Sequence, residues 1–116
     1  MYHMPEHRTQ VLKGVLDVCL LALISEEPSY GYEMVEKLSD RGLPLVADGS
    51  IYPSLSRLQN QGLAEGYFEV HAGGGPPRKY YRITDEGAKR LADWTEEWRE
   101  LSRGVDRVLE GGRGDG

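Results

Sequence analysis

Between Leu43 and Thr84 a short amphipathic segment runs straight into two strand-like stretches joined by Gly73-Gly74-Gly75-Pro76-Pro77, and few folds accommodate that succession. Ile51, Leu55 and Leu58 recur at helical spacing and share one face, and Leu63 follows a stop at Gly62. Pro53 fits only the first turn of a helix, so Asp48 or Ser50 is the expected N-cap. The opposite face carries Pro53, Ser56, Arg57 and Asn60, with Tyr52 and Gln61 at its margins. Short polar groups beside one guanidinium suit a rod that enters a DNA major groove, where Arg pairs with guanine and Asn with adenine. Any solvated helix face has a similar composition, so the segment that follows must separate the two readings.

Ala64 to His71 has strand composition through Tyr67, Phe68 and Val70, Ala72 to Pro77 forms a tip, and Lys79 to Ile83 reads as the return strand. Alternation places Tyr81 and Ile83 on one face and Tyr80 and Arg82 on the other. Arg78, Lys79 and Arg82 form the densest basic cluster in the chain. Cations and tyrosine hydroxyls are common partners of phosphate oxygens. A charged edge that discourages aggregation has the same look, but a basic hairpin directly after a candidate reading helix favours nucleic acid. The expected architecture is mainly α with an α+β wing: a winged helix-turn-helix.

Upstream, Met1 to Arg8 reads as a loose arm. His3 and His7 stand at metal-ligand spacing there, but Pro5 between them and the terminal position argue against a site. Gln10 to Ser25 is the expected first helix, with a stripe of Val11, Leu12, Val15 and Leu16. Val18 to Ile24 is apolar all round, which suggests burial against both the domain core and a second subunit, and favours Cys19 as a small buried hydrophobe over a redox sensor. Ser29 is a candidate N-cap for a second helix over Tyr30 to Arg41, whose core face is Met34, Val35 and Leu38. Gly31 suggests a close approach to a neighbouring helix, and Gly42 with Pro44 ends the segment.

Thr84 is placed to cap a last helix opened by Asp85 and Glu86. Leu91, Trp94, Trp98, Leu101, Val105 and Val108 then follow an a/d heptad pattern. A seam that long needs a partner, and a homodimer is the simplest one. Val15 and Cys19 join those six residues as the expected dimer interface. The division is 1–84 as the DNA-binding domain, 85–110 as the dimerisation helix and 111–116 as a glycine-rich, disordered tail.

At 116 residues there is room for one domain. The net charge of −5 opposes DNA affinity unless the charges segregate. They do in sequence: Arg78, Lys79, Arg82, Lys89 and Arg90 cluster late in the wing and at the start of the last helix, while acids gather at Glu26-Glu27, Glu33, Glu36 and Glu96 to Glu100. A single cysteine precludes an intrachain disulfide and fits a cytoplasmic location. No membrane-spanning run or leader pattern stands out. Gly73-Gly74-Gly75 lacks the Lys-Ser of a phosphate loop, and no nucleophile, metal or cofactor constellation suggests an enzyme.

Gly49-Ser50-Ile51-Tyr52-Pro53-Ser54-Leu55-Ser56-Arg57-Leu58, then Gly62-Leu63, then Gly75-Pro76-Pro77-Arg78-Lys79-Tyr80-Tyr81-Arg82-Ile83-Thr84 resembles the PadR family of bacterial transcriptional regulators, as does Tyr30-Gly31-Tyr32-Glu33 upstream. The single C-terminal helix is similar to the compact subfamily. The resemblance implies a homodimeric repressor of an inverted-repeat operator in double-stranded DNA. Tyr52, Pro53, Ser56, Arg57 and Asn60 would meet the major groove, and Arg78, Lys79, Tyr80 and Arg82 the backbone. It further implies a small planar aromatic effector between subunits, with Trp94 and Trp98 as its contacts. The competing expectation is a winged-helix module whose acidic surface docks a protein partner, with little specific DNA binding.

Overall fold

The computed structural model describes residues 15–44 and 51–111. The expectations for the N-terminal arm, for Gln10, Val11 and Leu12, for a cap at Asp48 or Ser50 and for the tail after Gly111 fall outside that range. Among the described residues four helices and three strands follow in the order α1 (Leu16–Glu26), β1 (Ser29–Tyr30), α2 (Gly31–Asp40), α3 (Ile51–Asn60), β2 (Ala64–Glu69), β3 (Arg78–Ile83) and α4 (Asp85–Gly111). This is the mainly helical winged helix-turn-helix that the pattern predicts.

The core gathers around α1. Leu16, Leu20, Leu21, Leu23 and Ile24 are buried there against Met34 and Leu38 of α2, Ile51, Leu55 and Leu58 of α3, and Leu63, Ala64 and Tyr81 of the wing. Leu91 and Trp94 of α4 pack against the edge of this cluster together with half-buried Cys19. Burial pushes the Cys19 thiol above its ordinary pKa, in keeping with an apolar role.

The two helices of the helix-turn-helix end in the same way. At α3 the Leu63 N–H donates to the Leu58 carbonyl (2.9 Å) and the Gly62 N–H to the Gln59 carbonyl (3.0 Å). Gly62 sits at φ +76°, and Leu63 folds back onto the core. At α2 Leu43, Gly42 (φ +94°), Leu38 and Ser39 repeat the pattern. This double hydrogen bond with a left-handed residue satisfies the last carbonyls of a helix and reverses the chain sharply.

The sheet is antiparallel with order β1-β3-β2, so the wing carries a third strand that sequence periodicity does not reveal. Ser29 and Tyr30 pair with Tyr81 and Tyr80. Two residues are too few for an alternation signal; their pairing is imposed by the neighbouring strand. This also corrects the expected cap. Ser29 lies in β1, its buried hydroxyl accepting from Lys37 Nζ (3.2 Å), while Tyr30 is the N-cap of α2 and its backbone N–H donates to Glu33 Oε1 (3.2 Å).

Thr84 joins the wing to α4. Its hydroxyl donates to the Gly62 carbonyl (2.7 Å) and accepts from the Gly87 N–H (2.9 Å), and its own N–H donates to the Leu63 carbonyl (3.1 Å). The first turn of α4 therefore lies flat on the end of α3. A Cβ at Gly87 would collide with the Leu63 carbonyl oxygen and stand 2.8 Å from Ile83 Cγ1. Gly87→Ala is expected to destabilise the fold by about 2–3 kcal/mol, read as a lower urea midpoint with an unchanged m-value.

Candidate nucleic-acid interface

The outer face of α3 is set by its core face. With Ile51, Ser54, Leu55 and Leu58 buried, Tyr52, Pro53, Ser56, Arg57 and Asn60 are left exposed. They do not form one uniform surface. Pro53, Ser56 and Asn60 point away from the core, whereas Tyr52 and Arg57 flank it on opposite sides, as the 100° step requires. Tyr52 turns toward α2: a Cβ at Gly31 would lie 2.7 Å from its hydroxyl, so Gly31 makes the close approach expected of it, to α3. The Tyr81 phenol is raised above its ordinary pKa, first by burial and then by the Tyr52 phenol.

Arg57 turns the other way, toward α1. Its Nε–H donates to Asp17 Oδ2 (3.1 Å) and its Nη2 to Asp17 Oδ1 (2.9 Å) and to Ser54 Oγ (3.0 Å). The guanidinium pKa is raised by the hydrogen bond to Asp17 and then by its charge. Sequence reasoning missed Asp17, and no local signal could have found it, because the partners lie 40 residues apart.

The wing divides its basic residues between two faces. Lys79 shares the inner face with Tyr81. Its aliphatic arm passes over Gly66, where Gln59 of α3 also reaches, and its Nζ lies 5.5 Å from the Tyr81 ring centroid. Exposed Phe68 is its cross-strand neighbour. Arg78, Tyr80 and Arg82 occupy the outer face. There Tyr30, Tyr80 and Tyr67 stand in register across the three strands, with centroid separations of 5.3 Å (edge-on) and 6.0 Å (stacked). Arg78 lies over Tyr30 (4.7 Å) and donates to its hydroxyl (3.0 Å). Arg82 lies over Tyr67 (4.4 Å) and pairs with Glu65 directly opposite (3.1 Å). Among the described residues no ion pair holds Arg78 or Lys79, so both cations remain available to an external anion. The aromatic ladder stiffens the arm that carries them.

Trp94 and Trp98 face α1 across a cleft of about 370 Å³ lined by Val15, Asp17, Val18, Trp94, Glu97, Trp98 and Leu101. Its walls are two indoles and aliphatic carbons, with two carboxylates at the rim. From the cleft onward the heptad seam is largely exposed: Trp98, Leu101, Val105 and Val108 are 43%, 60%, 46% and 78% exposed. Of the expected interface residues, Leu91, Trp94 and Cys19 thus pack against the core of their own domain, Val15, Trp98 and Leu101 line the cleft, and Val105 and Val108 lie outside both. Among the described residues no group of acids, histidines and cysteine has metal-site geometry, and no helix is long and apolar enough to cross a membrane.

The two wing faces predict different mutational behaviour. Tyr80→Ala removes both ring contacts and should lower stability by about 1–2 kcal/mol. Lys79→Ala, which removes only the aliphatic arm over Gly66 and the cation 5.5 Å from the Tyr81 ring, should cost less, about 0.5 kcal/mol in the same denaturation assay.

Residues 20–93 match the model of the transcriptional regulator PadR-like family. The crystal structure of a PadR-like transcriptional regulator from Bacillus cereus strain ATCC 14579 is similar at 44% identity and a TM-score of 0.76, covering 87% of this chain and 97% of that one. A PadR family transcriptional regulator from Eggerthella lenta is similar at 36% identity and a TM-score of 0.75, covering 88% of each chain. An uncharacterised protein of Lysinibacillus sphaericus is 34% identical over 106 residues, 90% of this chain and 96% of that one. With the family's domain spanning most of the chain on a winged helix-turn-helix, the protein belongs to the PadR-like family of transcriptional regulators, and not to a family of enzymes.

Proposed function

We propose that this regulator is a cytoplasmic homodimeric repressor that binds an inverted-repeat operator and is released by a small planar aromatic effector. The observation that carries the dimer is the free half of α4. Its 27 residues extend about 40 Å, and its apolar stripe is largely exposed from Trp98 to Val108. An exposed heptad stripe of that length is stabilised by a second copy of itself, and a two-fold axis along it gives two reading helices related by symmetry. With successive major grooves about 34 Å apart, such a pair meets two half-sites of an inverted repeat.

Within each half, Pro53, Ser56, Arg57 and Asn60 face the bases, Tyr52 supports them from the flank, and Lys79 and Arg78 take phosphate as the wing tip passes the backbone. Tyr80 and Arg82 act mainly by holding the wing rigid. The dimer residues are Val15, Cys19, Leu91, Trp94, Trp98, Leu101, Val105 and Val108, with 1–84 as the reading unit and 85–110 as the connecting helix. Effector binding is supported by the cleft, where Trp94 and Trp98 offer ring faces and Glu97 a carboxylate, a combination suited to a flat compound with a positive group. By wedging α1 from α4, an occupant would favour a spacing of the two halves that does not match DNA, and its preference for that state sets the size of the response.

Val105→Glu should convert dimer to monomer in sedimentation equilibrium and abolish tight DNA binding without unfolding the domain; a dimer that persists would refute the seam. Lys79→Ala should reduce the salt dependence of DNA binding by about one counterion. Trp98→Ala should abolish quenching of tryptophan emission by planar aromatic cations and retain DNA binding.

A further inference from the structure

We propose that Asp17 is a determinant of DNA affinity: its carboxylate competes internally for Arg57, so that contact of this arginine with DNA is an exchange of partners. The inference rests on the proposed reading role of Arg57 and adds a residue on a different helix to it.

The argument starts from the hydrogens of the guanidinium. Arginine carries five N–H donors, one on Nε and two on each terminal nitrogen. In this structure Asp17 takes Nε and Nη2, and Ser54 Oγ takes Nη2 as well. Only Nη1 stands outside that set. Bidentate contact with guanine O6 and N7 needs N–H groups on two adjacent nitrogens, and each adjacent pair includes either Nε or Nη2. Arg57 therefore cannot read guanine in this way until it releases Asp17, Ser54 or both.

The release is within reach. Arg57 and Asp17 side chains are 51% and 24% exposed, so solvent and an incoming phosphate or base can approach the pair. Exposed pairs of this kind are weak enough to exchange, yet a lone phosphate, itself screened by counterions, gains little by replacing a bidentate carboxylate. A base edge that also meets Ser56 and Asn60 gains more. On scrambled DNA the arginine thus stays with Asp17 and contributes no counterion release; on its own sequence it changes partner.

The test compares the parent, Asp17→Asn, Arg57→Gln and the double variant Asp17→Asn/Arg57→Gln, with Asp93→Asn, at an exposed position of α4, as a control for loss of one negative charge. Each is titrated with a duplex selected by the parent from random sequence and with a scrambled duplex, over a range of salt, after circular dichroism shows equal folding. Asp17→Asn is expected to tighten binding to both duplexes, roughly two- to tenfold. It should steepen the salt slope on the scrambled duplex alone, by about 0.9, as one new phosphate contact forms. Neither gain should appear when the same change is made in Arg57→Gln, and Asp93→Asn should reproduce neither. Weaker binding by Asp17→Asn, unchanged binding, or an equal gain in the Arg57→Gln background would overturn the proposal. A parent that selects no sequence defeats the base-reading role instead, while the scrambled-duplex comparison still decides whether Asp17 restrains Arg57.

Discussion

The packing of α1 against the other described helices and β3 is the constraint on which this structure depends. Leu20, Leu21 and Ile24 are fully or almost fully buried, and they meet α3 on one side and the wing and α4 on others. A helix that is apolar on several faces cannot be solvated, so it becomes the post around which an amphipathic reading helix, a small sheet and a long terminal helix are hung. The position of α3 follows from that post through Ile51, Leu55 and Leu58. The direction of α4 follows from the Thr84 junction, where three hydrogen bonds and a missing side chain at Gly87 seat it against the end of α3. α3 and α4 are thus mechanically joined, as the proposed coupling between DNA contact and the cleft requires.

Electrostatics then act on a scaffold already fixed by packing. The chain is net acidic, yet several acids are engaged by cations: Glu26 by Arg41, Glu27 by Lys37, Glu65 by Arg82 and Asp17 by Arg57. The Glu26 carboxyl is held below its ordinary pKa chiefly by its hydrogen bond to Arg41, so that cross-link between α1 and the end of α2 loosens only in acid, as pH falls through the folded-state value. These exposed pairs add little stability. Their effect is to decide which cations remain available: Lys79 and Arg78 on the wing are outside them, and Arg57 on α3 is inside.

Much of this was legible in the sequence, and the exceptions have physical causes. Helix ends at Gly42 and Gly62, the Thr84 cap and the face of α3 follow from local stereochemistry, so pattern reading recovers them. The alternation that separates Tyr80 from Tyr81 is equally local, and it also separates Lys79 from Arg78 and Arg82, which a reading by charge alone had grouped together. By contrast, β1 exists only because Tyr80 and Tyr81 offer it a ladder, so Ser29 looked like a cap and proved to be a strand. The Asp17–Arg57 pair and the Tyr30–Tyr80–Tyr67 row depend on the fold bringing distant residues together, and composition carries no trace of either.

The central claim is that two copies of this chain read one DNA sequence by symmetry. The most direct measurement is selection of genomic fragments by the purified protein at near-physiological salt, followed by sequencing. The account predicts enriched fragments that share an inverted repeat with half-site centres about one helical turn apart. Enrichment of an unrepeated site, or none from a folded and dimeric protein, would contradict it.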